Sequence, residues 1–383
     1  MACLLFLLLS LVGCSNPAYV SAPAAQTAGG EVRLWEDAGI FTLVDRLIGS
    51  ARHRVLVEMY ELGRNELVQA MGAAEGRGVE VRVITDPTVA ASRQAVKILD
   101  SLRVPERAYP VDDGRHQIDH VKLLIADGEA AVGGMNWGRH SDRNHDYVLE
   151  TRNAIELDRL ARIFDQDWNL AGGHPAPLPQ ASGLVAQTSP GGEIRSMLER
   201  ALNRAVHRVL AEVYTLTDAA LIAEMVIAHR RGVVVRVLLD PNQVYNLHAY
   251  AVLRAGGVEV RWYPVPKGVL LHAKIGLFDA ELVLGSANWT LSGLGVNHEL
   301  DIETDDAAAV RAYVTRFESD WRGRVSGFAS APPSASPTPP HEWGGQVASF
   351  VGVGRLSLEP AVRRGLPPGA GSRARPRAAC CRS

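Results

Sequence analysis

Cysteine is nearly missing from this chain of 383 residues, and its four copies stand at the ends: Cys3 and Cys14 near the start, Cys380 and Cys381 near the finish. A disulfide framework, a thiolate metal site and a cysteine nucleophile are thereby excluded from the body between them. Excess charge is missing too. Forty Lys and Arg stand against 42 Asp and Glu, so the bulk composition exerts no pull toward nucleic acid. The opening apolar run, "MACLLFLLLSLVGC", is too short to cross a bilayer and reads as the core of an export signal. What remains is 47% hydrophobic, an ordinary globular composition with length for two domains or one large one.

The plan along the chain is a signal over 1–14, a small-residue tether over 15–30, two domains over 31–172 and 173–326, and a Pro/Ser/Arg-rich tail over 327–383 that is expected to be disordered. The two domains repeat each other. "HRVLVEMYEL" from His53 returns as "HRVLAEVYTL" from His207, and "RGVEVRVITDP" from Arg77 as "RGVVVRVLLDP" from Arg231. "NHDYVLET" from Asn144 returns as "NHELDIET" from Asn297, and "FDQDW" from Phe164 as "FESDW" from Phe317. Matches in one order at an offset of about 150 residues mark a tandem duplication. Within each copy, apolar Val/Ile/Leu strands alternate with amphipathic helices, which predicts an α/β fold with each sheet covered on both faces.

Between the repeated strands lies "HVKLLIADGEAAVGGMNWG" from His120, echoed by "HAKIGLFDAELVLGSANWT" from His272. Each reads as a β-hairpin turned at Asp127 or Asp279. Alternation along a strand aims His120 with Lys122, and His272 with Lys274, at one side. An imidazole and an ammonium buried together are costly unless an anion sits between them. The return strands add Asn136, Asn288 and the hydroxyl of Ser286, so the donors suit a cluster of phosphate oxygens.

These residues resemble the HKD motif of the phospholipase D superfamily: His-x-Lys, Asp, Gly-Ser-x-Asn. The second copy fits throughout, and the first departs only at Gly134, where the family usually has Ser. The likeness covers nearly everything from residue 31 to about 325. It implies tandem phospholipase D-like α/β/α sandwich domains forming one pseudo-twofold bilobal unit, a monomer carrying a single site at the junction of its halves. It also implies metal- and cofactor-independent cleavage of a phosphodiester in two steps. One histidine forms a phosphohistidine, the other protonates the leaving alcohol, and Lys122, Lys274, Asn136 and Asn288 hold the non-bridging oxygens. Asp146 and Glu299 are carboxylates suited to orienting the imidazoles, while Asp127 and Asp279 fall at the hairpin turns and are assigned structural support. Family precedent favours His120 as the nucleophile, whereas the neighbouring Asp119 favours a charged imidazole there, and both assignments stay open.

"LVGC" resembles the lipobox of bacterial lipoproteins, which implies an exported protein held in the cell envelope by a lipid on Cys14, at an outer membrane if the host has one, or else secreted. A membrane address and near-neutral charge favour a phospholipid substrate or membrane surface over the alternative, an envelope nuclease with the same site. A third alternative is a degenerate lipid- or nucleic-acid-binding protein, supported only by Gly134. Other residues receive plainer roles. His53 and His207 read as junction residues before strands, and Trp137 and Trp289 as core. His145 and His298 are aimed away from the site by alternation. Glu58 and Glu212, inside apolar strands, either line the cleft or pair with a buried donor. No histidine pair has metal spacing on a helix.

Overall fold

The computed structural model describes residues 31–175, 185–188, 192–265 and 268–323; the expected signal, the tether, Cys14 and the tail lie outside the described residues. The first half runs β1 (Val32–Glu36), α1 (Gly39–Ser50), β2 (Arg54–Met59), α2 (Asn65–Gly76), β3 (Glu80–Thr85), α3 (Ala90–Ser101), β4 (Glu106–Ala108), β5 (Lys122–Ala126), β6 (Glu129–Gly133), β7 (Tyr147–Thr151) and α4 (Ala154–Ala171). The second repeats the order with one added short helix, α8: β8 (Val185–Thr188), α5 (Glu193–Arg204), β9 (Arg208–Val213), α6 (Ala219–Arg230), β10 (Val234–Leu239), α7 (Asn246–Ala255), β11 (Glu259–Trp262), β12 (Lys274–Phe278), β13 (Glu281–Gly285), α8 (Leu291–Gly295), β14 (Glu299–Thr304) and α9 (Ala307–Trp321).

Each half folds as a seven-stranded mixed sheet, in the orders β1-β7-β6-β5-β2-β3-β4 and β8-β14-β13-β12-β9-β10-β11. The strands joined through helices, β2-β3-β4 and β9-β10-β11, are parallel, as crossover connections require; β5 and β12 pair antiparallel with β2 and β9, and β6 and β13 turn back antiparallel to β5 and β12. Both hairpins turn through an aspartate in the left-handed region, Asp127 at φ 50° and Asp279 at φ 56°, which a short polar side chain tolerates. Asp127 accepts the backbone N–H groups of Arg52, His53 and Arg54 at 2.9 Å each. Asp279 accepts those of Val206, His207 and Arg208 at 2.8–2.9 Å. The tip of each motif hairpin is thus pinned to the start of the central strand beside it.

Three apolar cores follow from the two faces of each sheet. One face of the first sheet packs with α1, α2 and α3 through residues such as Leu47, Val57, Leu67 and Leu99. The second sheet does the same with α5, α6 and α7 through Leu198, Val213, Met225 and Leu253. The other faces share one core that joins Leu123, Leu149 and Phe164 of the first half to Ile275, Leu284, Leu300 and Phe317 of the second. Each of these large side chains contributes about 1.5–3 kcal/mol when buried, so the shared core holds the two α/β/α sandwiches as one body. The closing helices α4 and α9 start at matching caps. Asn153 accepts the N–H of Ile155, and Asp306 accepts those of Ala308 and Ala309.

Alternation predicts His and Lys on one strand, but β5 and β12 begin at the lysines. Just before them the chain leaves its own sheet to pair with the opposite half. His120 donates its N–H to the carbonyl of His298 at 2.8 Å, and His298 donates to Ile118 at 2.9 Å. The mirrored exchange joins His145 to Leu270 and His272 to His145, both at 2.8 Å. The motif histidines therefore stand on the seam, tied by backbone bonds to the other copy.

Candidate active site

The motif histidines, lysines and asparagines gather at that seam, while Asp127 and Asp279 stay at the hairpin tips, at the far ends of β5 and β12. His120, Lys122, His272 and Lys274 are buried, as are Asp146, Ser286 and Glu299. Lys122 and Lys274 each fold back onto the carbonyl of the histidine two residues before, Lys122 Nζ at 2.6 Å. The ammonium of Lys274 also lies against the His272 ring, 2.9 Å from Nδ1 and 3.2 Å from Nε2. Asn136 and Asn288 are half-buried, and each leaves its amide oxygen buried without a hydrogen-bond partner. An acceptor stranded in this way costs about 1–3 kcal/mol, so each amide oxygen is left for a ligand hydroxyl, and it is the Nδ2–H groups of the same amides that can donate to phosphate oxygens.

The carboxylates cross the seam. Glu299, from the second half, takes Nδ1 of His120 at 2.9 Å, and Asp146, from the first, takes Nδ1 of His272 at 2.7 Å. With Nδ1–H given to a carboxylate, each ring keeps its lone pair on Nε2. The sequence identified the two acids but not which imidazole each one serves. Ser286 donates to the same Oε2 of Glu299 at 2.6 Å and accepts the N–H of Leu300 at 2.9 Å, so it steadies the carboxylate. In the other copy that place belongs to Gly134. A Cβ there would come 2.3 Å from Asp146 Oδ1, so the departure from the motif makes room for the shorter acid.

Burial shapes the protonation of the group. It lowers His120, with Glu299 opposing and Lys122 assisting, so that the imidazole titrates below its usual range. Burial and then the Lys274 charge push His272 down to about 4. Burial also pulls Lys122 down to about 7 and Lys274 to about 8. Alone it would raise Glu299, but His120, Lys122 and Ser286 more than offset it and hold the carboxyl below its usual range. Two neutral rings beside two readily discharged ammonium groups form a pocket that an anion would recharge.

Several contributors escaped the sequence reading. Tyr60 and Tyr214 place their rings 4.8 Å from His120 and His272, and 5.0 Å from the ammonium groups of Lys122 and Lys274. Asp86 and Asp240 accept the N–H of Asp119 and of Leu271 at 2.7 and 2.6 Å, fixing the residue before each motif histidine. Both pairs recur in the duplicated segments "EMYEL"/"EVYTL" and "TDP"/"LDP", and that recurrence was the available signal.

His145 and His298 turn away from the motif and enter the opposite half. His298 Nε2 lies 3.0 Å from Asp167 and 3.2 Å from Glu58, and its ring stacks on Tyr109. His145 sits against Asp37 at 2.6 Å, Glu212 at 3.2 Å and Asp320 at 3.4 Å, with its ring stacked on Tyr263. Glu58 and Glu212 are thus paired with a buried donor instead of lining the cleft. The two His/Glu/Asp groups bring ligand atoms within 4.8 Å of one another; the second also holds the guanidinium of Arg316, 2.8 Å from Asp320, which supplies a cation of its own. Trp137 and Trp289 are buried in the outer cores. A surface cavity of about 630 Å³ lined by Arg33, Trp35, Arg311 and Arg316 holds none of the motif residues.

Two duplicated sheets presenting paired His, Lys and Asn across a seam define a phospholipase D-type architecture. The family described as "Cardiolipin synthase, PLD-like domain" matches twice, over residues 44–168 and 198–321, and the chain belongs to it. A probable cardiolipin synthase of Bacillus subtilis is 24% identical over 300 residues, covering 68% of this chain and 59% of that protein. Cardiolipin synthase A of Pseudomonas entomophila is 28% identical, covering 77% and 69%. A mitochondrial cardiolipin hydrolase of Xenopus laevis is 36% identical over 111 residues, covering 28% and 52%. The chain thus spans little more than half the length of some curated relatives it matches. Among solved structures, phosphatidylserine synthase of Haemophilus influenzae shares the fold at a TM-score of 0.63 and 12% identity, covering 77% of this chain and 86% of that one.

Proposed function

We propose that the chain is a metal-independent phosphodiesterase that cleaves or transfers phospholipid phosphodiesters through a phosphohistidine. The crossed pairs His120–Glu299 and His272–Asp146 carry the reading, since each holds Nδ1 of an imidazole with a carboxylate and leaves the lone pair on Nε2, which in His272 faces the Lys274 ammonium at 3.2 Å until a phosphate draws that ammonium away. In this mechanism the phosphate enters between Lys122 and Lys274, restores their charge and engages Asn136 and Asn288. Nε2 of one histidine forms a bond to phosphorus while the bond from phosphorus to the leaving alcohol breaks, and the second imidazolium gives that alcohol its proton. Water or another alcohol then gives up a proton to the second imidazole and displaces the first histidine, breaking the N–P bond. The relatives named for cardiolipin synthesis and hydrolysis support a phospholipid substrate. A lipid on Cys14 would hold the protein in the cell envelope, which incorporation of labelled fatty acid by the native chain and not by Cys14→Ser would test.

The deciding assay incubates the full chain, with EDTA present, with phosphatidylglycerol and cardiolipin vesicles plus ethanol, and in parallel with single-stranded DNA. Phosphatidylethanol or phosphatidic acid, lost in His120→Ala and in His272→Ala, is the expected result. Mapping a trapped phosphohistidine names the nucleophile. DNA cleavage without lipid turnover would overturn the substrate, and silence from a folded chain would overturn the activity.

A further inference from the structure

The duplication supplies an internal control, because each position in one half has a counterpart in the other. Asn246 in the second half accepts the N–H of Leu216 at 2.8 Å and donates to the carbonyl of Tyr214 at 2.8 Å. In the first half Ser92 accepts the N–H of Leu62 at 3.1 Å and donates to Tyr60 at 2.7 Å. With these two residues equivalent, Val244, Tyr245 and Leu247 stand where the first half has Ala90, Ala91 and Arg93. Counting from the motif tryptophans, Leu291 stands where the first half has Arg139. At each position the second copy has a large apolar side chain in place of alanine or arginine. All four are open to solvent: Val244 is 58% exposed, Tyr245 59%, Leu247 51% and Leu291 72%.

These residues belong to one edge. The loops after β10 and β13 leave the second sheet at the end where β9 finishes and β12 begins, the end that carries His272. Tyr214, bonded to Asn246, puts its ring 4.8 Å from that of His272, and Thr217 donates to the carbonyl of Trp289 at 2.9 Å. The two stretches that carry them hold no charge of their own. Neither the run from Pro241 to Leu253 nor that from Leu282 to His298 contains an Asp, Glu, Lys or Arg, whereas the first half has Arg93, Lys97, Arg139, Asp142 and Arg143 in the matching stretches.

Exposed apolar side chains at the end of the sheet that carries the site mark a contact surface, and the lack of charge in their two stretches selects the partner. A polyanionic strand needs Lys or Arg along its track, while an uncharged rim enters hydrocarbon without stripping water from an ion. Resting on the phospholipid reading above, we propose that Val244, Tyr245, Leu247 and Leu291 form a docking rim that seats the second half in the acyl region of a phospholipid bilayer. The phosphodiester then reaches the lysines without its acyl chains being drawn into water.

The test uses the full chain carrying Leu291→Trp, or Arg139→Trp as the matched first-half control, on vesicles of phosphatidylglycerol brominated on its acyl chains. Quenching of the added emission at 291 and not at 139 is expected; equal quenching at both, or none at 291, would overturn the rim. A second variant, Tyr245→Ala/Leu247→Arg/Leu291→Arg, carries residues that the first half already accommodates. It should lose about tenfold or more of turnover on vesicles and keep turnover of monomeric short-chain phosphatidylglycerol, and equal loss on both substrates would overturn the proposal. Selective quenching without turnover of any lipid would support the rim and sink the phospholipase reading instead.

Discussion

Glu299 Oε2 and His120 Nδ1 lie 2.9 Å apart, although 179 positions separate the residues in sequence and each belongs to a different copy of the duplication. The bond holds the imidazole in the tautomer that aims a lone pair outward, and Asp146 does the same for His272. Glu299→Gln and Asp146→Asn keep the shape while altering the tautomer preference. Each is expected to lower kcat about 10²–10⁴-fold with little change in KM. Steady-state kinetics on phospholipid vesicles reads this directly, and a change confined to KM would contradict the assignment.

The pH profile follows from the depressed groups. On the proposed mechanism the nucleophile must be neutral; His272 titrates at about 4 and His120 below its usual range, so kcat/KM rises through acid pH as that proton is lost. On the proposed mechanism the ammonium groups of Lys122, at about 7, and Lys274, at about 8, attract the substrate phosphate. They are lost as pH rises through those values, and kcat/KM falls with them. A bell with its alkaline limb near 7 to 8 is expected, and Lys122→Met should remove the lower-lying part of that limb along with most of the activity.

Gly134 yields the sharpest single-residue outcome. Gly134→Ser restores the usual motif, yet its Cβ would meet Asp146 Oδ1 at 2.3 Å and push the carboxylate off His272. Overpacking of this kind costs about 1–3 kcal/mol of stability, and activity should fall about tenfold or more as the ring loses its support. Thermal unfolding and turnover measured side by side would show both. Gain of activity would mean that the glycine is a defect and not a fit.

His145 tests the buried groups behind the site. Burial alone would lower it, but Asp37 and Glu212 raise it to about 10. Stability from a raised group is present in full below the unfolded value, near 6.5, and is lost as pH climbs through about 10. His145→Ala is expected to cost about 3 kcal/mol at neutral pH, the lower end for a broken buried pair because Arg316 still offsets Asp320. Denaturant unfolding from pH 6 to pH 10 should show the difference between the two proteins narrowing.

Much of this was legible in the amino-acid sequence for a physical reason: duplication writes each functional position twice. The motif residues, their hairpins, the helices closing each half and the two acids all stood at matched offsets. The sequence was silent about which copy each acid serves, because periodicity describes a side chain relative to its own strand and the seam contacts lie between strands of different copies. The same limit applied to His145 and His298. Alternation aimed them away from the motif, as found, but could not show that each ends against the other copy's Glu and Asp. β1 was also unforeseen, since an edge strand with exposed and half-exposed residues at four of its five positions lacks the apolar run that marks the central ones.

The reciprocal crossing at the seam carries an evolutionary implication. Because each copy gives the other what it receives, two identical unfused copies related by a twofold axis could make the same exchange. Any substitution would then appear in both at once, and Gly with Asp could not coexist with Ser and Glu. Fusion lifts that symmetry, so one copy is free to become apolar at its rim while the other keeps its arginines, and a site assembled from equals acquires a left and a right hand.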